Sequence, residues 1–433
     1  MADSEDRGSP LSLFKNAEFV ALSGTAFARS QAYSTLLLAL ALYADLFGTT
    51  GFVEGLFGAT FALAQLLIVL PLGRKIDTGN AKRYLVAGLL VNVLVFVGFI
   101  FVESAVHVIL VRILQGVGAS VLWITGSAVV GEISPDGERG RWLGTYNQVA
   151  AFSSMAGDLV GGYLLYSQGF RFTYVVLSAV TLAATVLVLL FLRDNPGGMT
   201  DPENASGRET LVALLGRPMV RSLVTFRLAF SFGKMAVILF LPIYARTVFG
   251  VSSLVIGGIL AGGKLAKTLL QGYMGDLTDR LGGEHRFVVA GALLYAVGTA
   301  MLPFAGPANE LLTTAVLPVV GTVTNAGALA VMFSAYAVLG VADSIRLPAS
   351  MSLFVTEGER FDSVASSMSL RSLSWKVGQV VGPLTVGIIT DLSSMPVAFA
   401  VAAGFIVVAT VSFVLMYRRS TVSERARALA TDD

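Results

Sequence analysis

The apolar stretches of this 433-residue chain run for about twenty residues or longer, and that length restricts the fold more than any other feature. A helix needs roughly twenty residues to cross about 30 Å of hydrocarbon, whereas a spanning strand needs only about ten. Hydrocarbon offers backbone amides no water to bond, so only helices or closed barrels can cross it. The runs are unbroken rather than alternating, which selects helices. Twelve spans are expected, at about 16–45, 52–72, 84–103, 105–131, 143–167 and 172–192, then 221–246, 253–274, 287–306, 328–355, 369–391 and 396–417. Composition agrees, with 55% hydrophobic and only 13% charged residues, a balance foreign to soluble domains of this size. The expected class is an all-α membrane protein.

The longest polar interruption contains Asn195-Pro-Gly-Gly and Asp201-Pro-Glu-Asn and divides the spans six and six. The expected organisation is a tail at 1–15, a six-helix bundle at 16–192, a linker at 193–220, a second bundle at 221–417 and a tail at 418–433. The two halves are related. Gly275-Asp-Leu-Thr-Asp279-Arg280-Leu-Gly282, read as a charged hairpin between spans 8 and 9, echoes Gly73-Arg-Lys-Ile-Asp77 about 202 residues upstream, between spans 2 and 3. Glu138-Arg139 returns as Glu359-Arg360, and Gly157-x-x-x-Gly161 returns as Gly378-x-x-x-Gly382, now about 221 residues away. About nineteen residues have therefore been added in the second half, which places an outer-side element between 303 and 327. The chain is expected to form two pseudo-symmetric six-helix halves.

Lysine and arginine set the orientation. About nineteen lie in the tails and even-numbered connections, against about two, Arg171 and Arg246, in the odd-numbered ones. Both termini are then expected in the cytoplasm, with the protein in the inner, or cytoplasmic, membrane. Trp142 and Trp375 fall near the cytoplasmic ends of spans 5 and 11, where aromatic rings favour headgroups. The tail before span 1 is acidic and no A-x-A-like site follows, so span 1 is expected to be retained rather than cleaved as a signal.

Three motifs carry a family resemblance. Gly275, Asp279, Arg280 and Gly282 make a complete G-x-x-x-D-R-x-G loop, and the first-half copy keeps Gly73 and Asp77 with Thr78 in place of the arginine. Arg112-Ile-Leu-Gln115-Gly116-Val-Gly118-Ala119 in span 4 reads R-x-x-Q-G-x-G-A. Gly157-Asp158-Leu-Val-Gly161-Gly162 in span 5 is similar to G-P-x-x-G-G, with Asp158 at the position of the proline. Together these resemble the major facilitator superfamily, and more narrowly its twelve-helix drug:proton antiporter branch. The resemblance covers about residues 16–417. It implies that Asp77 and Asp279 help to close the cytoplasmic side, that Arg112 is associated with proton coupling, and that transport is export coupled to proton entry.

The loop residues also have a mechanical reading of their own. Glycine allows close approach of helix ends, aspartate accepts bonds from a helix N-terminus, and basic residues sit against anionic headgroups. Gly73, Asp77, Arg139, Gly275, Asp279, Arg280 and Gly282 are therefore candidate gating residues. Gln115, Gly116, Gly157, Gly161, Gly162, Gly378, Gly382 and Pro383 are expected to serve helix packing.

Nine cations lie inside the spans: Arg29, Arg112, Arg227, Lys234, Lys264, Lys267, Arg346, Arg371 and Lys376. Each would cost about 2.5–3.5 kcal/mol at the membrane centre on insertion scales, so they must face a watery cavity, pair, or snorkel. Arg371 and Lys376 are expected to snorkel to the cytoplasmic surface. Arg227 and Lys234 are seven residues apart and Lys264 and Lys267 three apart, so each pair shares a helical face. With Arg29, and with Trp123 among the aromatic candidates, they make a positive lumen suited to an anionic substrate, since arginine holds carboxylate or phosphate in a fork. Bonding to backbone carbonyls is the plainer alternative. Asp343 and Arg346 lie three apart and can pair locally. Arg112 is expected to organise the core beside Gln115. Asp158 either carries a proton or serves as a fixed counter-ion for Arg112 or Arg29, depending on whether burial or neighbouring cations dominate.

Several signals carry no weight. Gly258 to Leu265 imitates a phosphate-binding loop but has Leu265 where serine or threonine is required, and Asn204-Ala-Ser206 is a chance glycosylation sequon. His107 and His285 are isolated and cysteine is absent, so neither a metal site nor a cofactor is expected, and no nucleic-acid partner. The expected function is secondary active transport of a small organic solute by alternating access, the two halves rocking about a central cavity. Proton-coupled export of an anionic or zwitterionic solute by a monomer is favoured, with membrane lipids as the surrounding partner. The alternatives are a multidrug exporter of lipophilic compounds and a transport-inactive sensor; an enzyme is not expected.

Overall fold

In the computed structural model, residues 10–77, 79–135, 138–194, 208–317, 321–361 and 364–431 are described. Twelve long helices fill the predicted spans: α1 (Ala17–Phe47), α2 (Gly51–Asp77), α3 (Ala81–Ile100), α4 (Ala105–Ile133), α5 (Arg139–Ser167) and α6 (Gly169–Phe191). After a short helix, α7 (Arg208–Leu215), come α8 (Pro218–Phe249), α9 (Ser253–Leu281) and α10 (Glu284–Met301). A second short helix, α11 (Ala305–Leu311), precedes strands β1 (Thr314–Leu317) and β2 (Gly321–Thr324), then α12 (Ala326–Glu359), α13 (Val364–Leu392) and α14 (Met395–Thr431). Nine of these helices are long and apolar enough to cross a membrane by length and composition alone. The other three long ones, α1, α5 and α13, carry polar groups such as Ser23, Thr25, Arg29 and Gln31, all buried on α1.

Local chemistry sets the helix ends. The Asn16 side chain accepts from the amides of Glu18 at 2.9 Å and Phe19 at 3.1 Å and so starts α1, and Gly48 ends it in the left-handed region, with φ of 54°. Asn80 and Ser104 cap α3 and α4 in the same manner. The expected charged hairpin at 275–286 is instead mostly helix. Gly275, Asp279 and Arg280 belong to the last turns of α9, where Arg280 pairs with Asp276 at 2.8 Å one turn back. Charged residues are compatible with a helix once it leaves hydrocarbon, and such pairs support the extra turns. The chain reverses only at Gly282 and Gly283, with φ of 62° and 71°. Likewise α2 continues through Gly73 to Asp77; the side chain of Asp77, and Thr78 after it, lie outside the described residues.

Contacts divide the chain into two compact units. The first comprises Met1–Thr49, Thr60–Ala205 and Gly250–Ala261, and the second comprises Thr50–Ala59, Ser206–Phe249 and Gly262–Asp433. The sequence boundaries near 192 and 221 are thus crossed twice, because the first turns of α2 belong to the second unit and those of α9 to the first. Within the first unit α1 packs on α5 and α6, and α3 on α4 and α6. Within the second, α8 packs on α13 and α14, and α10 on α12 and α14, which is the same set of pairs.

The repeated glycines make the matching contacts. A Cβ on Gly157 of α5 would lie 2.7 Å from the Cα of Gln31 on α1, and one on Gly161 would lie 2.6 Å from Thr35 Cγ2. The Thr35 hydroxyl faces the carbonyls of Gln31 and Gly157, each at 3.0 Å. In the second unit a Cβ on Gly378 of α13 would lie 2.8 Å from the Leu228 carbonyl of α8, and one on Gly382 equally close to that of Phe232. A Cβ on Gly116 would lie 2.8 Å from that of Ala64, and one on Gly162 would lie 2.7 Å from the Ser253 carbonyl oxygen. Pro383 is an interior helix residue whose carbonyl abuts Gly55.

Outside the helix interiors three places depart from expectation, the 193–220 linker, the 418–433 tail and Trp142, whereas the 303–327 insertion carries the additional element expected there. The 193–220 linker contains α7, whose Leu214 is buried with Val220 and Leu370. The 303–327 insertion is not a bare loop: it holds α11 and an antiparallel hairpin pairing Thr314 with Thr324, so a small sheet accompanies the otherwise helical fold. Asn325 ties it down, donating to the Phe249 carbonyl at 2.8 Å and facing Asn309 at 3.2 Å. The 418–433 tail continues α14 as helix to Thr431. Trp142 is a core residue rather than a headgroup anchor, buried edge-to-face on Phe19 at 5.3 Å, because α5 turns its first face onto α1.

Close approach at these glycines predicts a graded response to added side chains. Gly157→Val and Gly378→Val should each cost about 1–3 kcal/mol or more by overpacking. Thermal unfolding of the detergent-solubilised protein should register both, whereas Gly404→Ala, with open space around it, should leave the midpoint unchanged or higher.

Candidate functional site

The second unit concentrates buried charge. Arg227 and Lys234 lie two turns apart on α8, about 10 Å along its axis. Lys234 Nζ forms an ion pair with the Asp343 carboxylate of α12, and the other carboxylate oxygen takes Arg346 Nη2 at 3.0 Å. All three side chains are buried. Aromatic faces enclose the cations: Arg346 lies 3.9 Å over the Phe230 ring, and Lys234 lies 5.2 Å from the Tyr295 centroid and 5.8 Å from that of Trp375. Such faces attract cations through the ring quadrupole, strongly where water is excluded. Lys267 of α9, partly buried, acts electrostatically on both Lys234 and Asp343. Lys264, one turn earlier, is also partly buried. One carboxylate thus serves two cations directly, with further positive charge close by.

Arg227 is differently held. Its Nε donates to the Arg371 carbonyl of α13 at 2.7 Å, and its guanidinium lies 5.2 Å from the Trp375 centroid. Arg371 does not snorkel free, because its Nε is buried within the protein. Trp375 stands beside Arg227 and Lys234 rather than acting solely as a headgroup anchor.

In the first unit, Arg29 of α1 is buried and stacks 4.3 Å from the ring centroid of Trp123, a residue that is 55% exposed. Its Nη1 has no hydrogen-bond acceptor among the described residues. Arg112 donates to Gln115 Oε1 of its own helix at 2.5 Å and lies 4.2 Å over the Phe61 ring of α2, so it is anchored in the interior of the first unit. Asp158 is fully buried on α5, and its carbonyl faces Gly257. Of the candidate gating residues, Asp279 is exposed and makes no ion pair among the described residues, and Arg139 lies across Gly131 at the end of α4.

The pair between Asp343 and Arg346 was legible from their spacing. The Lys234 partner on another helix was not, nor were Phe230 and Tyr295, which read as ordinary core residues. The nearest available signal was the imbalance between many intramembrane cations and few acids. Among the described residues no cluster of histidine, cysteine, aspartate and glutamate is suited to a metal.

Two six-span repeats with buried ionic groups inside each describe a polytopic carrier. A profile of the Major Facilitator Superfamily matches residues 22–336, and the chain belongs to that family of membrane transporters, which are not enzymes. It is 26% identical over 395 residues to the Multidrug resistance protein MdtG of Dickeya zeae, covering 89% of each chain. It is 21% identical over 384 residues to the uncharacterized MFS-type transporter MJ1560 of Methanocaldococcus jannaschii, covering 88% of this chain and 93% of the relative. Among solved structures, a bacterial homolog of the human lysosomal transporter Spinster superposes with a TM-score of 0.71 at 16% identity, covering 94% of this chain and 96% of that one. The nucleoside transporter NupG superposes with a TM-score of 0.72 at 14% identity, covering 92% and 99%.

Removing one member of the buried cluster should expose its electrostatic cost. Asp343→Asn strands Lys234 and Arg346, and losing one partner of a buried pair costs about 3–5 kcal/mol. The double variant Asp343→Asn with Lys234→Met should recover part of that loss. A double-mutant cycle on thermal stability measures the coupling.

Proposed function

We propose that this protein exports a small anionic or zwitterionic organic solute across the cytoplasmic membrane by alternating access, in exchange for protons. The observation that carries the proposal is the Lys234–Asp343–Arg346 cluster, in which an internal carboxylate occupies the cation that a substrate carboxylate would need. A substrate carboxylate competes with the Asp343 carboxylate for Lys234 while Asp343 keeps Arg346, and Asp343 takes up the incoming proton once the substrate has left; Asp158 is the buried proton-carrying candidate of the first unit. Arg112 lends a positive field to the first unit, in which Arg29 over Trp123 offers an aromatic and cationic surface suited to an anionic solute. Arg227, Lys264 and Lys267 add positive potential that attracts anions. The motif residues Gly73, Asp77, Arg139, Gly275, Asp279, Arg280 and Gly282 gate the cytoplasmic side, where both termini lie, and the protein acts as a monomer.

A second reading, export of lipophilic drugs, draws on the relatives named as multidrug resistance proteins and on the exposed face of Trp123. Flux into proteoliposomes, measured for organic anions and for lipophilic cations with and without a pH gradient, separates the two. Anions should move and dissipate the gradient, and Lys234→Ala should lower their flux at least about tenfold, equivalent to roughly 1.4 kcal/mol of recognition. Movement of lipophilic cations alone, undisturbed by Lys234→Ala, would select the second reading. An absence of any flux would leave a sensor.

A further inference from the structure

Two guanidinium groups near the start of α8 and α13, that of Arg227 buried and that of Arg371 half-buried, have N–H donors that no described residue accepts from. Arg227 is only 8% exposed, and its Nη1 has no acceptor among the described residues. The Nε of Arg371 is equally without one. The two arginines repel each other, and Arg346 adds a third positive charge to their surroundings. Asp343 attracts Arg227 from a distance, but both of its oxygens are already engaged by Lys234 and Arg346.

Neither helix can easily relieve the repulsion. Gly378 brings α13 against Leu228 and Ser231 of α8, one turn beyond Trp375, and the Nε of Arg227 is tied to the Arg371 carbonyl. That carbonyl also accepts from the Ser374 hydroxyl at 3.1 Å. The stem of Arg227 is thereby fixed while its Nη1 remains available, with the indole of Trp375 beside it. Two donors of like charge, Arg227 Nη1 and Arg371 Nε, each shielded from solvent and with no carboxylate bonded to them among the described residues, are what an oxyanion requires.

We propose that Arg227 and Arg371, with Trp375 alongside, form an oxyanion site distinct from the Lys234 cluster and about 10 Å nearer the start of α8. Its ligand is a phosphate-type group, supplied either by a free solute or by the headgroup of an anionic phospholipid. The inference does not depend on proton-coupled export, since the site would bind its ligand in a protein that moved nothing.

The test is thermal unfolding of the full chain in uncharged detergent, with inorganic phosphate compared against chloride at equal ionic strength. Phosphate should raise the midpoint of the unaltered protein, and Arg371→Gln should reduce that rise to less than about a fifth. The Arg371→Gln protein should melt no lower than the parent without phosphate, because the backbone carbonyl that holds Arg227 is retained and an unsatisfied charge is gone. Lys234→Gln should keep the phosphate response. In nanodiscs of phosphatidylcholine with or without phosphatidylglycerol, Arg371-dependent stabilisation by phosphatidylglycerol but not by free phosphate assigns the ligand to a headgroup. Equal responses of parent and Arg371→Gln to both probes overturn the proposal. So does a lower midpoint for Arg371→Gln with neither probe acting on the parent, which makes Arg371 a structural residue. Loss of the phosphate response in Lys234→Gln alone places the anion in the central cluster and overturns it as well.

Discussion

Helices already immersed in hydrocarbon gain nothing by hiding apolar surface from one another, so their association depends on backbone approach and on polar contacts. In this protein the approach is made by α5 on α1 in the first unit and by α13 on α8 in the second. Gly157 and Gly161 admit Gln31 and Thr35, and Gly378 and Gly382 admit Leu228, Ser231 and Phe232. Arg227 reaches the Arg371 carbonyl only because α13 lies so close to α8.

The same closeness makes charge expensive. A buried cation with no partner would be strongly unfavourable, and the second unit meets that problem unevenly. Lys234 and Arg346 share Asp343 and lean on the rings of Tyr295, Trp375 and Phe230. Arg227 has a backbone carbonyl and an indole instead of a carboxylate. Arg29 in the first unit is stacked on Trp123 and keeps an unused donor. Such imperfect compensation is costly for stability.

Much of the fold was legible in advance. Apolar run length located the twelve long helices, and the displaced glycine pairs revealed both the duplication and the insertion before α12. The misread places share one cause, which is that polarity marks the edge of the membrane and not the end of a helix. Gly275 to Arg280 and the chain after 417 are polar and remain helical, and part of the linker forms α7 because Leu214 finds Val220 and Leu370. Trp142 and Arg371 were assigned to the membrane surface from their position near span ends, yet a neighbouring helix covers them.

Of the candidate site, only contacts within one helix could be read from spacing: Asp343 with Arg346 and Arg112 with Gln115, each three residues apart. The sequence by itself determined the class, the span count, the internal repeat and the surplus of cations over acids, because each follows from local composition or periodicity. Tertiary structure alone decided that Lys234 receives the carboxylate of Asp343, that Trp375 stands beside both α8 cations, and that Arg227 meets the Arg371 carbonyl with no carboxylate bonded to either arginine among the described residues. Those pairings join residues more than a hundred positions apart, and helix packing angles and glycine contacts bring them together rather than any pattern along the chain.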